Sequence, residues 1–347
     1  MDVEQHAKRV LNDAAQNRAS DIHILPQRSK GVIRYRIDGE LVDAKVTSTA
    51  MLQKLIAHLK FLSGMDIGER RRPQNSSLEI MIQNQPYALR LSTFPMTYSE
   101  TLVIRLLHQG KIPSIFELAL FKSQARKMVQ LSYASYGLIL ICGPTGSGKT
   151  TTLYSLMNES LQTEKRNIIS LEDPVEQQHD EFLQMEVNEK AGVTYANGLK
   201  NVLRHDPDVI MIGEIRDEET AQMAVRAAMT GHLVLSTLHS STPTMAIRRL
   251  AEFGLSSSDI QETLLAVSSQ SLLKLACPLC GKECNYLCYR QRRRAAIFDI
   301  LTGPALTTYM TEKKSPNSMQ SQLMKKAFAL GYLSDCEKER WVRRTYV

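Results

Sequence analysis

One octapeptide constrains the fold of this 347-residue chain more than any other segment. Its sequence, GPTGSGKT at Gly143–Thr150, matches the pattern GxxxxGK[S/T] in full. The apolar run Gly137–Cys142 leads into it, and a helical segment that begins at Lys149 leads out. A buried strand, a glycine loop and a helix in this order predict a phosphate-binding loop in an α/β domain with a parallel sheet.

The residues of this loop suit a nucleoside triphosphate and Mg²⁺. Glycines let backbone N–H groups surround the α- and β-phosphates, and the helix that follows points its positive end at them. The ammonium group of Lys149 reaches the β- and γ-oxygens, and the hydroxyl of Thr150 suits Mg²⁺. The predicted nucleotide-binding residues are Gly143, Pro144, Thr145, Gly146, Ser147, Gly148, Lys149, Thr150 and Thr151.

Polar residues stand beside the apolar runs that follow. Because ligands bind at the carboxyl ends of strands in open α/β sheets, we expect Glu172 and Glu214 to face the phosphates. We assign Glu172 to the attacking water and Glu214 to Mg²⁺, and the reverse division stays open. His232 and His239 are predicted to hydrogen-bond the γ-phosphate or relay the nucleotide state, the alternative being ordinary structural histidines. The runs are Asn167–Leu171, Val209–Ile212 and Leu233–Leu238.

The first 110 residues follow a different pattern. Helical spacing of apolar residues and alternating strands predict an antiparallel sheet with helices on one side, an α+β arrangement. Gln109–Ser114 contains Gly and Pro and is the predicted linker. We divide the chain into an α+β domain (1–110), a linker (111–115), a parallel α/β domain (116–275) and a tail with a cysteine cluster and helix (276–347).

The hydropathy and charge of the sequence limit the cellular locations and partners that we expect for the chain. The longest apolar runs have five or six residues, whereas a membrane-spanning helix needs about 20. The first 25 residues contain no apolar signal region, so we expect a cytoplasmic protein, with a peripheral position at a membrane left open.

The net charge of +7 permits an anionic partner and identifies none. The basic run Arg290–Arg294 is expected to be a solvated helix face, the alternative being contact with lipid headgroups or DNA.

Four of the six cysteines lie close together near the end of the predicted α/β domain. In a cytosolic chain such residues are thiols or metal ligands rather than disulfides. The first pair forms a CxxC motif followed by Gly281, which resembles a zinc knuckle. Two interpretations stay open, a structural zinc site and a reduced remnant of one. The cysteines are Cys277, Cys280, Cys284 and Cys288.

Taken together, these motifs resemble those of the type II secretion and type IV pilus ATPase family. The resemblance covers about residues 17–280. Four segments are similar to the Walker A, Asp-box, Walker B and His-box motifs of that family, namely Gly143–Thr150, Ser170–Glu176, Gly213–Asp217 and Thr230–His239. The N-terminal segments that resemble the family are Ala19–Ile24, Tyr35–Gly39, Gly68–Gln74 and Arg90–Thr93.

The resemblance implies an architecture, an activity and partners. It implies a RecA-like P-loop motor domain preceded by a PAS-like N-terminal domain, in a homohexameric ring that hydrolyses ATP at subunit interfaces. It implies that Arg90 and Arg105 reach toward the γ-phosphate, where arginine stabilises transition-state charge. The implied partners are a polytopic inner-membrane platform protein and, indirectly, pilin-like subunits. No aromatic residues interleave with the basic run, so we expect no direct nucleic-acid binding.

Within the family, the chain most resembles the assembly ATPases that build the competence pseudopilus of Gram-positive bacteria for DNA uptake. Its Asp-box, Walker B segment and cysteine cluster favour this branch. The alternatives are a pilus-retraction or type II secretion ATPase, a RecA-like nucleic-acid motor, and a nucleotide-gated scaffold whose hydrolysis is incidental. Fold alone does not decide among them.

Overall fold

The computed structural model describes residues 2–97, 99–281, 284, 288, 290, 292–312 and 319–345. The chain forms two compact units. The first comprises residues 1–111 with 284–289, and the second comprises residues 112–283 with 290–347.

The N-terminal unit is a six-stranded antiparallel sheet whose apolar face packs against two helices. Ile22 and Ile104 are fully buried on that face, with Leu55 of the second helix in the same cluster. The elements are α1 (Val3–Gln16), β1 (Asp21–Pro26), β2 (Gly31–Ile37), β3 (Glu40–Thr47), α2 (Thr49–Leu62), β4 (Asn75–Ile82), β5 (Gln85–Pro95) and β6 (Glu100–His108). The strand order is β3-β2-β1-β6-β5-β4.

The second unit is an α/β layer structure around a seven-stranded sheet. The strands are β7 (Gly137–Cys142), β8 (Ile168–Glu172), β9 (Leu183–Glu186), β10 (Val209–Ile212), β11 (Leu233–Leu238), β12 (Leu264–Lys274) and β13 (Arg294–Thr302). The helices are α3 (Ile115–Leu118), α4 (Lys122–Ser132), α5 (Lys149–Glu164), α6 (Tyr195–Val202), α7 (Glu218–Met229), α8 (Pro243–Glu252), α9 (Ser257–Thr263), α10 (Pro304–Glu312), α11 (Met319–Ala329) and α12 (Asp335–Thr345).

The sheet has the order β13-β12-β7-β11-β10-β8-β9, and every neighbouring pair is parallel except β12–β13. Alternate residues of β7 belong to two different hydrophobic clusters, Leu140 to one and Ile139 to the other. The strand is therefore buried on both faces, which is why its sequence is continuously apolar.

The register of the parallel strands brings their carboxyl ends to one edge of the sheet. Leu238 of β11 pairs with Cys142 of β7, and Ile212 of β10 pairs with Leu171 of β8. The residues that follow these strands therefore gather at the same edge.

The region after residue 276 differs from the expected cysteine cluster and helix. It contributes β13, which pairs with β12 along nine residues. The basic run is not a helix face in its described part, because Arg294 begins that strand and Arg290 and Arg292 lie outside helices; Gln291 lies outside the described residues. The apolar residues after Arg294 explain the strand, since Ala296 and Phe298 are buried against the core. Of the helices that the structure describes, none has the length and apolar character needed to span a membrane.

Candidate nucleotide-binding site

The loop between β7 and α5 has the backbone that its glycines predict. The backbone φ angles are 149° at Gly143, 78° at Gly146 and 86° at Gly148, and residues other than glycine rarely adopt such values. At Gly143 the approach is also close, because a Cβ atom there would lie 2.6 Å from the carbonyl oxygen of Gln270. The loop therefore requires glycine at these positions.

Lys149 lies inside this loop at the start of α5. Its side chain is largely buried, and Nζ donates to the carbonyl oxygens of Gly143 at 2.9 Å and Pro144 at 3.2 Å. Burial lowers the pKa of Lys149, and the nearby carboxylate of Glu214 opposes that shift. Thr150 follows on the first turn of the helix. A loop of this backbone with a cation held inside it fits the phosphates of a nucleotide.

Glu172 is the last residue of β8, and its side chain is buried in a hydrogen-bonded network. The single O–H proton of Tyr154 is shared between the two carboxylate oxygens, with the hydroxyl oxygen 2.9 Å from Oε1 and 2.7 Å from Oε2. Ser170 Oγ donates to Oε1 at 2.8 Å, and Gln184 Nε2 lies 3.3 Å from the same oxygen. Burial raises the pKa of Glu172, and these hydrogen bonds offset part of the increase. The result is a buried carboxyl group whose pKa is shifted toward the working range of a general base.

Glu214 lies two residues beyond β10, and its side chain contacts Arg216 and His239. Arg216 donates to Glu214 and, at 3.2 Å, to Asp173 Oδ2. His239 Nε2 lies 3.5 Å from Glu214 Oε2. The hydrogen bond from Arg216 is the main cause that lowers the pKa of Glu214, with burial opposing it. Glu214 is therefore ionised at neutral pH, and carboxylate oxygen is the ligand type that Mg²⁺ prefers.

A cavity of about 640 Å³ opens beside this carboxylate. Glu214, Arg216 and His239 line one side, and Arg248 and Arg249 of α8 line another. Its volume is in the range of small-molecule sites in proteins.

The two predicted histidines lie at opposite ends of β11. His239 follows the carboxyl end of β11 and contacts Glu214, whereas His232 precedes the strand. The backbone carbonyl of His232 accepts from Gly137, the first residue of β7, and its ring contacts Ala227 and Thr230. The six residues of β7 separate it from the phosphate loop by about 20 Å. The expectation that His232 touches the γ-phosphate bound by its own chain is therefore corrected, because it stands at the wrong end of its strand.

The two predicted arginines lie in the N-terminal unit as direct neighbours across β5 and β6. Arg105 Nε is 3.0 Å from Asp21 Oδ1, and Arg36 Nε is 3.7 Å from the other oxygen of that carboxylate. Arg105 is exposed and Arg90 half-buried.

The four clustered cysteines come together locally. Their sulfur atoms all lie within 4.8 Å of one another. A tetrahedral zinc ion with bonds of about 2.3 Å places its sulfurs about 3.8 Å apart, so this donor set fits zinc after a small contraction. Cys277 is buried, Cys280 is exposed and the other two are half-buried.

Several side chains at the site have roles that the sequence did not reveal. Tyr154 stands four residues after Thr150, on the same face of α5, and this spacing is a signal for it. Ser170 shares a strand face with Glu172, which is a weaker signal. Gln184 and Gln270 reach the site only through sheet pairing, and no local pattern marks them.

Fold and site together define an α/β protein with a phosphate-binding loop and two carboxylates at the ends of neighbouring strands. The sequence matches the family described as "Type II/IV secretion system protein" over residues 1–338, and the chain belongs to that family.

Three relatives show where in the family the chain falls. It is 45% identical over 348 aligned positions to the competence protein ComGA of Bacillus subtilis, covering 98% of each chain. It is 41% identical to the type II secretion system protein E of Aeromonas hydrophila, over 78% of this chain and 54% of that protein. Among solved structures, the pilus retraction motor PilT with bound ADP superposes with a TM-score of 0.67 at 26% identity, covering 97% of this chain and 93% of that chain. The predicted resemblance to this family, and to its competence branch, is confirmed.

Proposed function

We propose that this protein is a Mg²⁺-dependent ATPase that drives assembly of a competence pseudopilus for DNA uptake. The observation that carries the ATPase proposal is the convergence of Lys149, Glu172 and Glu214 at one edge of the sheet. Its second support is the similarity to the competence protein ComGA along nearly the whole chain.

Each residue of the site has a proposed chemical role. Lys149 and the loop amides bind the phosphates, and Glu172 takes the proton of the water that attacks the γ-phosphorus as the bond to the leaving oxygen breaks. Thr150 and Glu214 would hold Mg²⁺, which when bound neutralises charge on the phosphate oxygens. His239, through its contact with Glu214, orients that carboxylate.

The ATPase proposal is tested with a lysine pair. Lys149→Ala is expected to abolish ATP turnover, because the buried ammonium is the cation inside the loop. Lys200→Ala is the control, since Lys200 is exposed on α6. Near-normal turnover in folded Lys149→Ala would contradict the assignment of the site. Strong stimulation of the wild type by DNA would instead favour the nucleic-acid motor.

The cellular role is tested in a competent host. Lys149→Ala is expected to abolish transformation and surface pseudopili together, because filament assembly would lack its motor. Filaments that form but fail to shorten would favour the retraction ATPase, and loss of secreted proteins with normal transformation would favour type II secretion. A Glu214→Gln chain that still supports filaments would favour the nucleotide-gated scaffold.

We propose that the active form is a homohexameric ring at the cytoplasmic face of the membrane. In this form the second unit is RecA-like, the N-terminal unit is PAS-like, and the ring acts on a polytopic platform protein and through it on pilin-like subunits. Arg90 and Arg105 would complete the nucleotide site at subunit interfaces, where guanidinium groups stabilise developing charge. His232 stays outside this proposal.

We also propose that the four cysteines hold one structural zinc ion. Support comes from the four sulfurs, which lie within 4.8 Å of one another and need only a small contraction to form a Cys₄ donor set. Purified protein is expected to contain one zinc per chain, and Cys280→Ser is expected to lose it and to melt at a lower temperature. Cys336→Ser is the control, because Cys336 lies outside the cluster on α12. Wild-type protein without stoichiometric metal would support the reduced remnant.

A further inference from the structure

We propose that Tyr154 is a positioning residue that fixes the Glu172 carboxylate relative to the phosphate loop. The inference rests on the proposed role of Glu172 as general base. A general base must also be held at a fixed position, and Tyr154 supplies that constraint.

Tyr154 lies on the helix that leads out of the phosphate loop. Tyr154 lies one turn beyond Thr150 on α5, the helix that begins at Lys149. Its hydroxyl hydrogen-bonds both oxygens of Glu172, at 2.9 Å and 2.7 Å. A residue bonded to both oxygens restricts the carboxylate in distance and in rotation. The first turn of α5 and the carboxylate are thereby joined through a single rigid element.

The tyrosine itself is held on two sides. Its side chain is only 2% exposed, and its ring stacks on that of Phe182 with centroids 6.4 Å apart. Gln184 Nε2 lies 3.2 Å from the Tyr154 hydroxyl oxygen, so β9 supports the hydroxyl from the other side. A group packed in this way cannot leave Glu172 without disturbing the edge of the sheet.

The network treats the two oxygens of Glu172 differently. Ser170 and Gln184 both donate to Oε1, which also receives the longer part of the hydrogen bond that the Tyr154 hydroxyl shares between the two oxygens. Among the residues that the structure describes, Oε2 accepts only from Tyr154 and, at 3.5 Å, from the backbone N–H of Glu176. Oε2 thus keeps acceptor capacity for the proton of a water molecule, while Oε1 is the anchored oxygen.

Tyr154 acts as a donor and not as a proton carrier. Burial and the neighbouring carboxylate both raise the pKa of Tyr154, so its hydroxyl stays protonated. Other ionisable groups around Glu172 come from each neighbouring element: Asp173 and Glu176 follow β8, Glu186 pairs with Glu172 from β9, Tyr195 lies on α6, and Glu214 and Arg216 follow β10. Of the titratable side chains, only Tyr154 hydrogen-bonds the Glu172 carboxylate in the described part of the chain. Its hydrogen bond is also the largest of the hydrogen-bond effects that lower the pKa of Glu172, ahead of those from Ser170 and Gln184.

The test removes the hydroxyl and keeps the ring. Tyr154→Phe is expected to lower kcat about tenfold while the Kd for ATP changes less than about threefold, since a hydrogen bond to a charged group is lost at the base and not at the phosphates. The acidic limb of the kcat profile is expected to move to higher pH, because the bond that favours the ionised carboxylate is gone.

A matched control and a second variant make the result decisive. Tyr309→Phe removes another buried tyrosine hydroxyl, one bonded to the Thr244 carbonyl at 3.3 Å, and is expected to leave kcat and the pH profile unchanged. If Tyr154→Phe does not fold, Ser170→Ala tests the same network and is expected to shift the acidic limb in the same direction.

Failure of this inference is distinguishable from failure of the proposed function. Wild-type kcat and pH profile in Tyr154→Phe, together with an inactive Glu172→Gln, would overturn the positioning role alone. Wild-type kcat in Glu172→Gln would overturn the base assignment on which the inference rests.

Discussion

Gln270 shows how a single distant residue supports the phosphate loop. It lies on β12 and is buried, and its Nε2 donates to the carbonyl oxygen of Ser147 at 2.7 Å across 123 positions of sequence. The backbone carbonyl oxygen of Gln270 also leaves no room for a Cβ atom at position 143, so only glycine fits there. The shape of the loop is therefore set by β12 as well as by its own glycines.

Replacement of this side chain is expected to weaken nucleotide binding. Gln270→Leu keeps the volume and removes the donor, which leaves the buried Ser147 carbonyl without that partner, at a cost of about 1–3 kcal/mol. The Kd for ATP, measured by titration with a fluorescent analogue, is expected to rise about tenfold. Gln222→Leu on the surface of α7 is the control. An unchanged Kd in Gln270→Leu would show that the loop holds its shape without this bond.

The environment of Glu172 predicts the pH dependence of turnover. A base works only when ionised, and burial raises the pKa of this carboxyl group. Activity is therefore expected to fall, as the pH decreases, at a higher pH than the pKa of an ordinary glutamate would give. Measured kcat between about pH 4 and pH 9, a range that includes the ordinary pKa of glutamate, checks this. A profile flat down to the ordinary range of glutamate would mean that Glu172 is not the titrating base.

The sequence indicated that Glu172 and Glu214 lie at the same end of the sheet because strand ends are local signals. Glu172 and Glu214 each follow an apolar run, and parallel strands bring such ends together. The supporting side chains were not predictable, since Gln184 pairs with Ser170 only once β9 joins the sheet edge. His232 was misplaced because it stands before its strand and not after it.

At the scale of elements, α7 shows how a sequence sets the limits of a helix. The Asp217 side chain accepts from the backbone N–H of Thr220 at 2.8 Å, and Glu218 and Glu219 occupy the first turn. Both features stabilise a helix start. The helix accordingly begins at Glu218, directly after this cap.

Removal of this cap is expected to destabilise the protein without touching the nucleotide. Asp217→Ala should lower the free energy of unfolding by about 1 kcal/mol, since one N-terminal donor loses its partner. Asp217→Ser keeps an acceptor and is expected to retain most of the stability. Denaturant titration measures both, and equal stability of Asp217→Ala and wild type would contradict the cap's contribution.

Strands with continuous or alternating apolar patterns were predicted, whereas β3, β12 and β13 are among the strands that were not. β3 is an edge strand with most of its residues exposed, so it carries little hydrophobic signal. β12 buries Ser268 and Ser269 in its centre, which a hydrophobic pattern does not anticipate. β13 follows a basic run that resembles a solvated segment, and only its pairing with β12 makes it part of the sheet.

At the scale of the whole molecule, the proposed ring requires residues from both units. Arg105 belongs to the N-terminal unit, where it is paired with Asp21, and Lys149 belongs to the other. If subunits share nucleotide sites, ATPase activity per subunit is expected to rise with protein concentration as the ring forms. A dilution series with size measured by light scattering checks this. A flat specific activity through a demonstrated change from monomer to hexamer would contradict shared sites.

The arginine is expected to act mainly in the transition state. Arg105→Ala should lower kcat at least about 100-fold with little change in ATP binding. Arg34→Ala is the control, because Arg34 lies on the same sheet in an ion pair with Asp43 at 2.6 Å. Equal kcat values for the two variants would indicate that Arg105 has only a structural role, in its ion pair with Asp21.

The central claim is that carboxylates at the strand ends hydrolyse the nucleotide that the loop binds. The most direct test measures ATP binding and steady-state kcat side by side for wild type, Glu172→Gln and Glu214→Gln. The account predicts that Glu172→Gln binds ATP as wild type does and hydrolyses it at least about 100-fold more slowly, with a comparable loss of kcat in Glu214→Gln. Wild-type kcat in folded Glu172→Gln would contradict it.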